Sequence, residues 1–103
     1  MDRLNLSATL LDEVTENTIG DKKIVELYSI HTFQIISADV SNGATVAIQA
    51  SLDGTNWTTY ETYAIVGNAS EMLTIAKEKL KYVRAVVSDY VDGTYTVLLV
   101  SGV

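Results

Sequence analysis

The side chains that could do chemistry are few, since the chain of 103 residues has one histidine and no cysteine. Nucleophilic catalysis needs a base beside a nucleophile. No catalytic motif surrounds His31, which is flanked by Ile30 and Thr32. We therefore expect His31 to be an ordinary surface or strand-end residue. One histidine without cysteine also offers no set of nitrogen and sulfur ligands for a metal.

Several acidic residues stand at positions that read as turns, namely Asp39, Asp53, Asp89 and Asp92. Paired carboxylates can hydrolyse glycosides, but acids at turns usually accept backbone hydrogen bonds. The stretch 53–56 (DGTN) offers oxygen ligands for calcium, yet it lacks the terminal bidentate glutamate of a calcium loop. The sequence therefore predicts a protein that is not an enzyme and that uses no metal or cofactor.

Three aromatic residues lie close together at Trp57, Tyr60 and Tyr63. A sugar-binding platform needs exposed, coplanar rings, whereas strand alternation would put Trp57 and Tyr63 on one face and Tyr60 on the other. A single tryptophan in a small domain usually anchors the core. We predict that Trp57 is buried, and a carbohydrate-binding module is the alternative.

The charge balance argues against nucleic acid as a partner. The net charge is −6, and four of the seven basic residues are Lys77, Lys79, Lys81 and Arg84. Phosphate binding needs a broader basic surface. This basic strip could orient the molecule on a charged partner, or it could be a solvated segment at a strand entrance.

No apolar run reaches the length of a membrane span, and residues 1–5 lack the features of a secretory signal. We therefore expect synthesis and residence in a cytoplasm, or assembly there into something larger, with no membrane partner.

Alternation of apolar and polar residues with a period of two dominates after residue 30 and predicts strands. The clearest examples are 45–51 and 82–88, where Val83 lies on the predicted buried face. The last strand, 94–101, has Tyr95 on one face and is apolar on both, which is typical of a central strand or one that faces a neighbouring subunit. In 32–40 the apolar set shifts phase after Ile35, which suggests a β-bulge near Ile35 and Ile36.

The dipeptides Asn42-Gly43, Asp53-Gly54 and Asp92-Gly93 are typical of tight hairpins. They predict antiparallel pairs of Phe33–Val40 with Ala44–Ser51, of Ala44–Ser51 with Trp57–Tyr63, and of Tyr82–Ser88 with Thr94–Ser101. Short strands at this spacing predict an all-β fold, either an antiparallel β-sandwich or a Greek-key barrel.

Residues 69–80 fit two structures. A helix capped by Asn68 or Ser70 would place Leu73 and Leu80 at helical spacing. A short strand, Met72–Ile75, followed by a polar turn fits equally well. We favour the strand because the neighbouring elements are all β.

The charged residues among 1–20 are acidic except for one base, and the segment has a weak apolar set, formed by Leu4, Leu6, Leu10 and Leu11. We expect these residues to form an extended N-terminal arm before a single β-sandwich domain at 21–103. In one interpretation the four leucines are interface residues that lie on a neighbouring subunit by strand addition. In the other the arm returns to its own sheet as an edge strand.

Three segments in order resemble small virion proteins of tailed bacteriophages: 48–58 (IQASLDGTNWT), 81–87 (KYVRAVV) and 92–97 (DGTYTV). In those proteins a strand ends in an aspartate-glycine turn followed by tryptophan, a later strand carries tyrosine, valine and arginine, and a glycine turn begins the last strand. The resemblance implies a β-sandwich in which Trp57 packs the turn and Arg84 braces it. Strand alternation alone fits an ordinary outward residue at Arg84 equally well. The fold-supporting residues would be Trp57, Val83, Arg84 and Tyr95.

The resemblance also implies a function, that of an auxiliary capsid protein that decorates the shell of a phage. Its partners would be the major capsid protein and neighbouring copies of itself, and its location the capsid surface of the virion. A subunit of the head-to-tail connection or baseplate is an alternative within the same class of proteins.

Overall fold

A computed structural model of the protein describes residues 5–76 and 79–103. These residues form nine β-strands, and no helix among them could cross a membrane. The strands are β1 (Asn5–Val14), β2 (Thr18–Ile19), β3 (Lys23–Ile24), β4 (Ile30–Ala38), β5 (Ala44–Ser51), β6 (Thr58–Ile65), β7 (Ala69–Ile75), β8 (Tyr82–Ser88) and β9 (Thr94–Gly102). The predicted all-β class is confirmed, and the strand at β7 is the structure favoured for residues 69–80.

Two antiparallel sheets pack face to face. Sheet A has the strand order β1-β9-β4-β7, and sheet B has the order β2-β8-β5-β6 with β3 also paired to β8. This is a β-sandwich. Each sheet contributes its two central strands to the core and leaves an edge strand on either side.

The core follows from strand alternation. In β4, β5, β8 and β9 every second residue is buried, and Phe33, Ile48, Val83 and Tyr95 are completely enclosed. Full burial of one such aliphatic side chain contributes about 1.5–3 kcal/mol. Val83 and Tyr95 therefore lie where a residue that supports the fold would be expected.

Two of the three predicted hairpins are wrong. The connections at Asn42-Gly43 and Asp92-Gly93 carry the chain from one sheet to the other, so β4 does not pair with β5 and β8 does not pair with β9. The predicted pairing of β5 with β6 is confirmed. A glycine in left-handed backbone serves a corner as well as it serves a hairpin, and Gly43 has φ 103°. A Cβ there would lie 1.6 Å from the Ile65 carbonyl oxygen, which leaves space for glycine alone.

The predicted bulge near Ile35 and Ile36 is also wrong. Strand β4 pairs with β9 in continuous register from Ile30 to Ala38. Ile35 is fully buried, and Ile36 faces out of the sandwich. The phase shift in the sequence therefore marks an apolar residue on the outer face of sheet A.

Residues 5–14 do not leave the body of the molecule, because β1 pairs with β9 along its length. This is the edge-strand alternative. A register shift between Thr9 and Leu11 leaves one extra residue, so the consecutive Leu10 and Leu11 are both buried, and Leu6 packs against the core. Leu10 and Leu11 are thus core residues rather than exposed interface residues. Leu4 lies outside the described residues.

Candidate interaction surfaces

Most of the outer face of sheet A is uncharged, and its acids, Asp12 and Glu13, lie at the β1 edge opposite Thr96. Its uncharged residues alternate with the buried ones along β1, β4, β7 and β9 and are Asn5, Ser7, Thr9, Ile30, Thr32, Gln34, Ile36, Ala38, Ser70, Met72, Thr74, Thr94, Thr96, Leu98, Val100 and Gly102. None of these side chains carries a charge in a chain whose net charge is −6. We call this set the sheet A outer face.

Polar side chains on this face bond to one another across the strands. Thr32 Oγ1 lies 3.2 Å from Thr74 Oγ1, and Gln34 Nε2 donates to Ser70 Oγ at 3.0 Å. Between them lie apolar side chains such as Met72 and Val100, which are 65% and 52% exposed. A partner that stops short of Asp12 and Glu13 can cover this face without burying a charge, which is the most costly group to remove from water.

The outer face of sheet B carries a stack of arginine on tryptophan. The Arg84 guanidinium carbon lies 4.1 Å from the centre of the Trp57 ring. Arg84 Nε donates to Gln49 Oε1 at 2.7 Å, and Gln49 Nε2 donates to Thr59 Oγ1 at 3.2 Å. Trp57 is half-buried and lies outside the core, so the prediction that it is buried is wrong.

The turn before Trp57 is held by Asp53. Its Oδ1 accepts hydrogen bonds from the amides of Thr55 and Asn56, both at 2.8 Å, and from Ser51 Oγ at 2.9 Å. These bonds to the ionised form hold the pKa of Asp53 far below its ordinary value. The carboxylate thus stabilises its own turn. Within residues 5–76 and 79–103, no three acidic or histidine side chains come close enough to hold a metal ion.

A shallow cavity of about 570 Å³ opens beside this turn, between Leu52, Tyr60 and Lys79. Its remaining lining residues are Ala50, Ser51, Asp53, Asn56, Thr58 and Leu80. Lys79 and Asp53 both line the cavity, and the Asp53 carboxylate is already hydrogen-bonded within its own turn.

The predicted aromatic set does not form a platform. A register shift between Ile48 and Gln49 adds one residue, Tyr60, to β6, and Tyr60 and Tyr63 both pack against the core. Trp57 instead lies under Arg84 on the outer face of sheet B. Because the three rings do not share one exposed surface, they do not form a row of aromatic side chains on which a sugar ring could stack.

His31 lies at the start of β4, which agrees with the predicted strand end, but it is completely buried, so the prediction of a surface residue is wrong. Its Nδ1 lies 2.8 Å from Ser101 Oγ, and its Nε2 has no hydrogen-bond partner among the described residues. Histidine beside serine is the pairing of a nucleophile with its base, but neither side chain reaches the surface, so a substrate has no access to them. Burial lowers the pKa of His31 and keeps the ring neutral.

The predicted basic strip lies at the start of β8. Lys22 and Lys81 place their ammonium groups 5.0 and 5.6 Å from the centre of the Tyr82 ring. Lys81 Nζ is also 4.0 Å from Glu26 Oε2. Lys77 lies outside the described residues.

Comparison with known proteins finds likeness in fold rather than in sequence. No protein-family model matches the chain, and no curated protein matches it. The SPBc2 prophage-derived protein YomS is similar in structure, with a TM-score of 0.72 and 18% identity over 100% of this chain and 96% of that one.

Two further structures share the fold. One belongs to Bacillus endospore appendages that form disulfide-linked pili, with a TM-score of 0.61 and 12% identity over 99% of this chain and 90% of that one. The other belongs to infectious bursal disease virus, with a TM-score of 0.59 and 9% identity over 98% of this chain and 32% of that one. At these identities the likeness establishes the β-sandwich, which agrees with the fold implied by the resemblance to phage virion proteins.

Proposed function

We propose that the chain is a non-enzymatic structural protein of a tailed phage particle, an auxiliary protein that attaches to the capsid shell through the sheet A outer face. The observation that carries this proposal is the absence of charge across that face up to its β1 edge, where Asp12 and Glu13 lie. A sheet of four strands, each about nine residues long, presents on the order of 500 Å² to a partner. That is a large part of the roughly 800 Å² per partner that a stable interface buries.

The composition of the face suits a permanent partner. Apolar side chains such as Ile36 and Leu98 lie beside two side-chain pairs that already bond across the strands, Thr32 with Thr74 and Gln34 with Ser70. Covering those paired groups costs little desolvation. Interfaces are depleted of charge at their centres in the same way. The major capsid protein is the partner we propose, with neighbouring copies of this chain beside it on the virion.

Support for a phage origin comes from the prophage-derived protein, which matches this chain from end to end. The three segments around Trp57, Arg84 and Tyr95 also resemble phage virion proteins. The inaccessible His31 and the hydrogen-bonded Asp53 support a function without catalysis.

The direct test is to locate the protein in intact particles. Particles of the phage whose genome encodes the chain would be purified, and mass spectrometry would measure the copy number of the protein relative to the major capsid protein. Electron cryomicroscopy of particles with and without the gene would then give difference density. We expect many copies on the outside of the shell. Absence from the particles would contradict a virion function, and density only at the neck or tail would favour the head-to-tail or baseplate alternative.

A further inference from the structure

Charges are separated between the two ends of the sandwich. At the end that carries the sheet-crossing corners, the exposed charged residues are all acidic: Asp12, Glu13, Glu16, Asp39 and Asp89. The amide of Tyr90 donates to Asn17 Oδ1 at 2.9 Å, which ties the loop after β1 to the corner after β8. We call this set the acidic end.

Every basic residue within the described ranges lies on the other half of the molecule. These residues are Lys22, Lys23, Lys79, Lys81 and Arg84, grouped around the first half of β8 and the turn before Trp57. Three acids accompany them: Asp21, Glu26, which pairs weakly with Lys81, and Asp53, whose carboxylate is satisfied within its turn. We call this group the basic end.

The two ends act as independent charged surfaces. Lys81 and Asp89 are joined by β8, whose residues are spaced by about 3.3 Å, so their backbones are roughly 26 Å apart. Salt at physiological strength screens charges beyond about 8 Å. The attraction between the ends of one molecule is therefore screened, and each end remains available to a second molecule.

The basic end also presents a guanidinium ready for a carboxylate. Arg84 is held by its stack on Trp57 and by the bond from its Nε to Gln49, and its two terminal nitrogens donate to no group among residues 5–76 and 79–103. A guanidinium fixed in this way loses little side-chain freedom when it binds. Its free nitrogens can take a carboxylate in a bidentate pair.

We propose that the protein associates with itself head to tail, with the acidic end of one copy on the basic end of the next. The partner is a second copy because the chain itself supplies the complementary surface. The contact joins two different surfaces of the same molecule, so it repeats along a row or closes into a ring. This inference does not depend on the proposed attachment to a capsid, since it uses the ends of the sandwich and touches the outer face of sheet A only at the β1 edge, at Asp12 and Glu13.

Sedimentation velocity of the purified chain tests the proposal. Ion pairs at a surface are individually weak, so the protein would be studied up to about 1 mM. The Debye length changes from roughly 30 Å at 0.01 M salt to 3 Å at 1 M. We expect the weight-average mass to rise with concentration in low salt and to fall to that of a monomer in high salt. A monomer under both conditions, or association that high salt strengthens, would overturn the proposal.

Two variants assign the contact to the ends. The first reverses two charges of the basic end, with Lys22→Glu and Lys81→Glu, and keeps the stack of Arg84 on Trp57. The second alters the acidic end with Glu16→Lys, Asp39→Asn and Asp89→Asn, since asparagine also tolerates the left-handed backbone at φ 56° and 50°. We expect each variant alone to be monomeric in low salt, with an unchanged circular dichroism spectrum.

Mixing the two variants gives the sharpest result. Each retains one functional end, so an equimolar mixture should form a dimer and nothing longer, whereas wild type forms longer species. The control is Glu61→Lys with Glu71→Lys, which changes the net charge by the same amount as the acidic-end variant but on the edge strands β6 and β7. It should associate like wild type. A control as monomeric as the end variants, or a mixture that stays monomeric, contradicts a head-to-tail contact.

Discussion

The guanidinium of Arg84 stacks on the ring of Trp57 at 4.1 Å, on the outer face of sheet B rather than inside the sandwich. The resemblance to phage virion proteins assigns both residues to the turn at Asp53, which ends beside the start of β8. The prediction of a buried Trp57 is wrong, because the expectation that a single tryptophan is a core anchor ignores the arginine that can cover it. The core is filled by Phe33 and Tyr95 instead.

The stack should make only a moderate contribution to stability. A half-buried ring on a cation gives about 0.5–2 kcal/mol, less than the 3–5 kcal/mol lost when a core aromatic is truncated. We expect Trp57→Ala and Arg84→Ala each to destabilise, and the double variant to lose less than their sum by about 0.5–2 kcal/mol. Urea unfolding of the four proteins measures this coupling. Additive losses would show that the two side chains support the fold independently.

Asp92 joins the two sheet-crossing corners, and its removal should loosen both. Its carboxylate accepts hydrogen bonds from the amides of Ser41, Asn42 and Gly43 at 2.9–3.1 Å. We expect Asp92→Asn to lower the melting temperature, while Asp89→Asn, at an exposed position in the same corner, changes it little. Equal melting temperatures for the two variants would show that the hydrogen bonds to Asp92 do not stabilise the protein.

The same carboxylate predicts a dependence on acid. The three amides hold the pKa of Asp92 below its ordinary value, which is about 3.9 in an unfolded chain. The unfolded state therefore binds the proton more readily, and the stabilisation is present above about pH 3.9 and is lost as the pH falls below it. Urea unfolding measures the difference in free energy of unfolding between wild type and Asp92→Asn. We expect this difference to become smaller from pH 7 to pH 3. A constant difference would contradict this.

Local signals predicted the strands well and their partners less well. Alternation and glycine turns located β4 to β9 because both report on backbone conformation within a few residues. Whether a glycine turn makes a hairpin or a corner depends on distant contacts, such as the hydrogen bonds that Asp92 accepts from the amide of Asn42. The burial of Leu10 depends in the same way on a bulge formed against β9. The sheet A outer face was indicated in the sequence by Ile36, an apolar residue that breaks the alternation of β4. We interpreted this break as a bulge.

His31 should make stability sensitive to mild acid. Burial lowers its pKa in the folded state, while the unfolded value is about 6.5. The unfolded chain thus takes up a proton that the folded protein excludes, and stability is full above about pH 6.5 and falls as the pH drops below it. We expect His31→Asn to abolish this dependence between pH 7.5 and pH 5, since the chain has one histidine. A wild-type stability that is flat across this interval would contradict the buried ring.

Strand β1 should be part of the folding unit. Leu11 is 4% exposed, so we expect Leu11→Ala to lower the free energy of unfolding by about 2–5 kcal/mol. Thr9 lies on the outer face of the same strand, so Thr9→Ala should change stability by less than about 0.5 kcal/mol. Removal of residues 2–14 should prevent folding. A truncated chain that folds with a sharp thermal transition would instead support the interpretation of these residues as a detachable arm.

A charge placed on the sheet A outer face should abolish attachment to particles without harm to the fold. Val100 lies on the central strand β9 and is 52% exposed, so Val100→Lys puts an ammonium in the face while its neighbour Leu99 stays in the core. If the shell covers this face, the lysine must lose its water without a partner, which costs several kcal/mol, and binding of the labelled protein to particles that lack it should weaken at least tenfold. Thr62→Lys adds the same charge on the outer face of sheet B, at an exposed position of β6, and should bind like wild type. If Val100→Lys binds as tightly as Thr62→Lys while both melt like wild type, the shell contacts another surface, and the proposed mode of attachment is wrong.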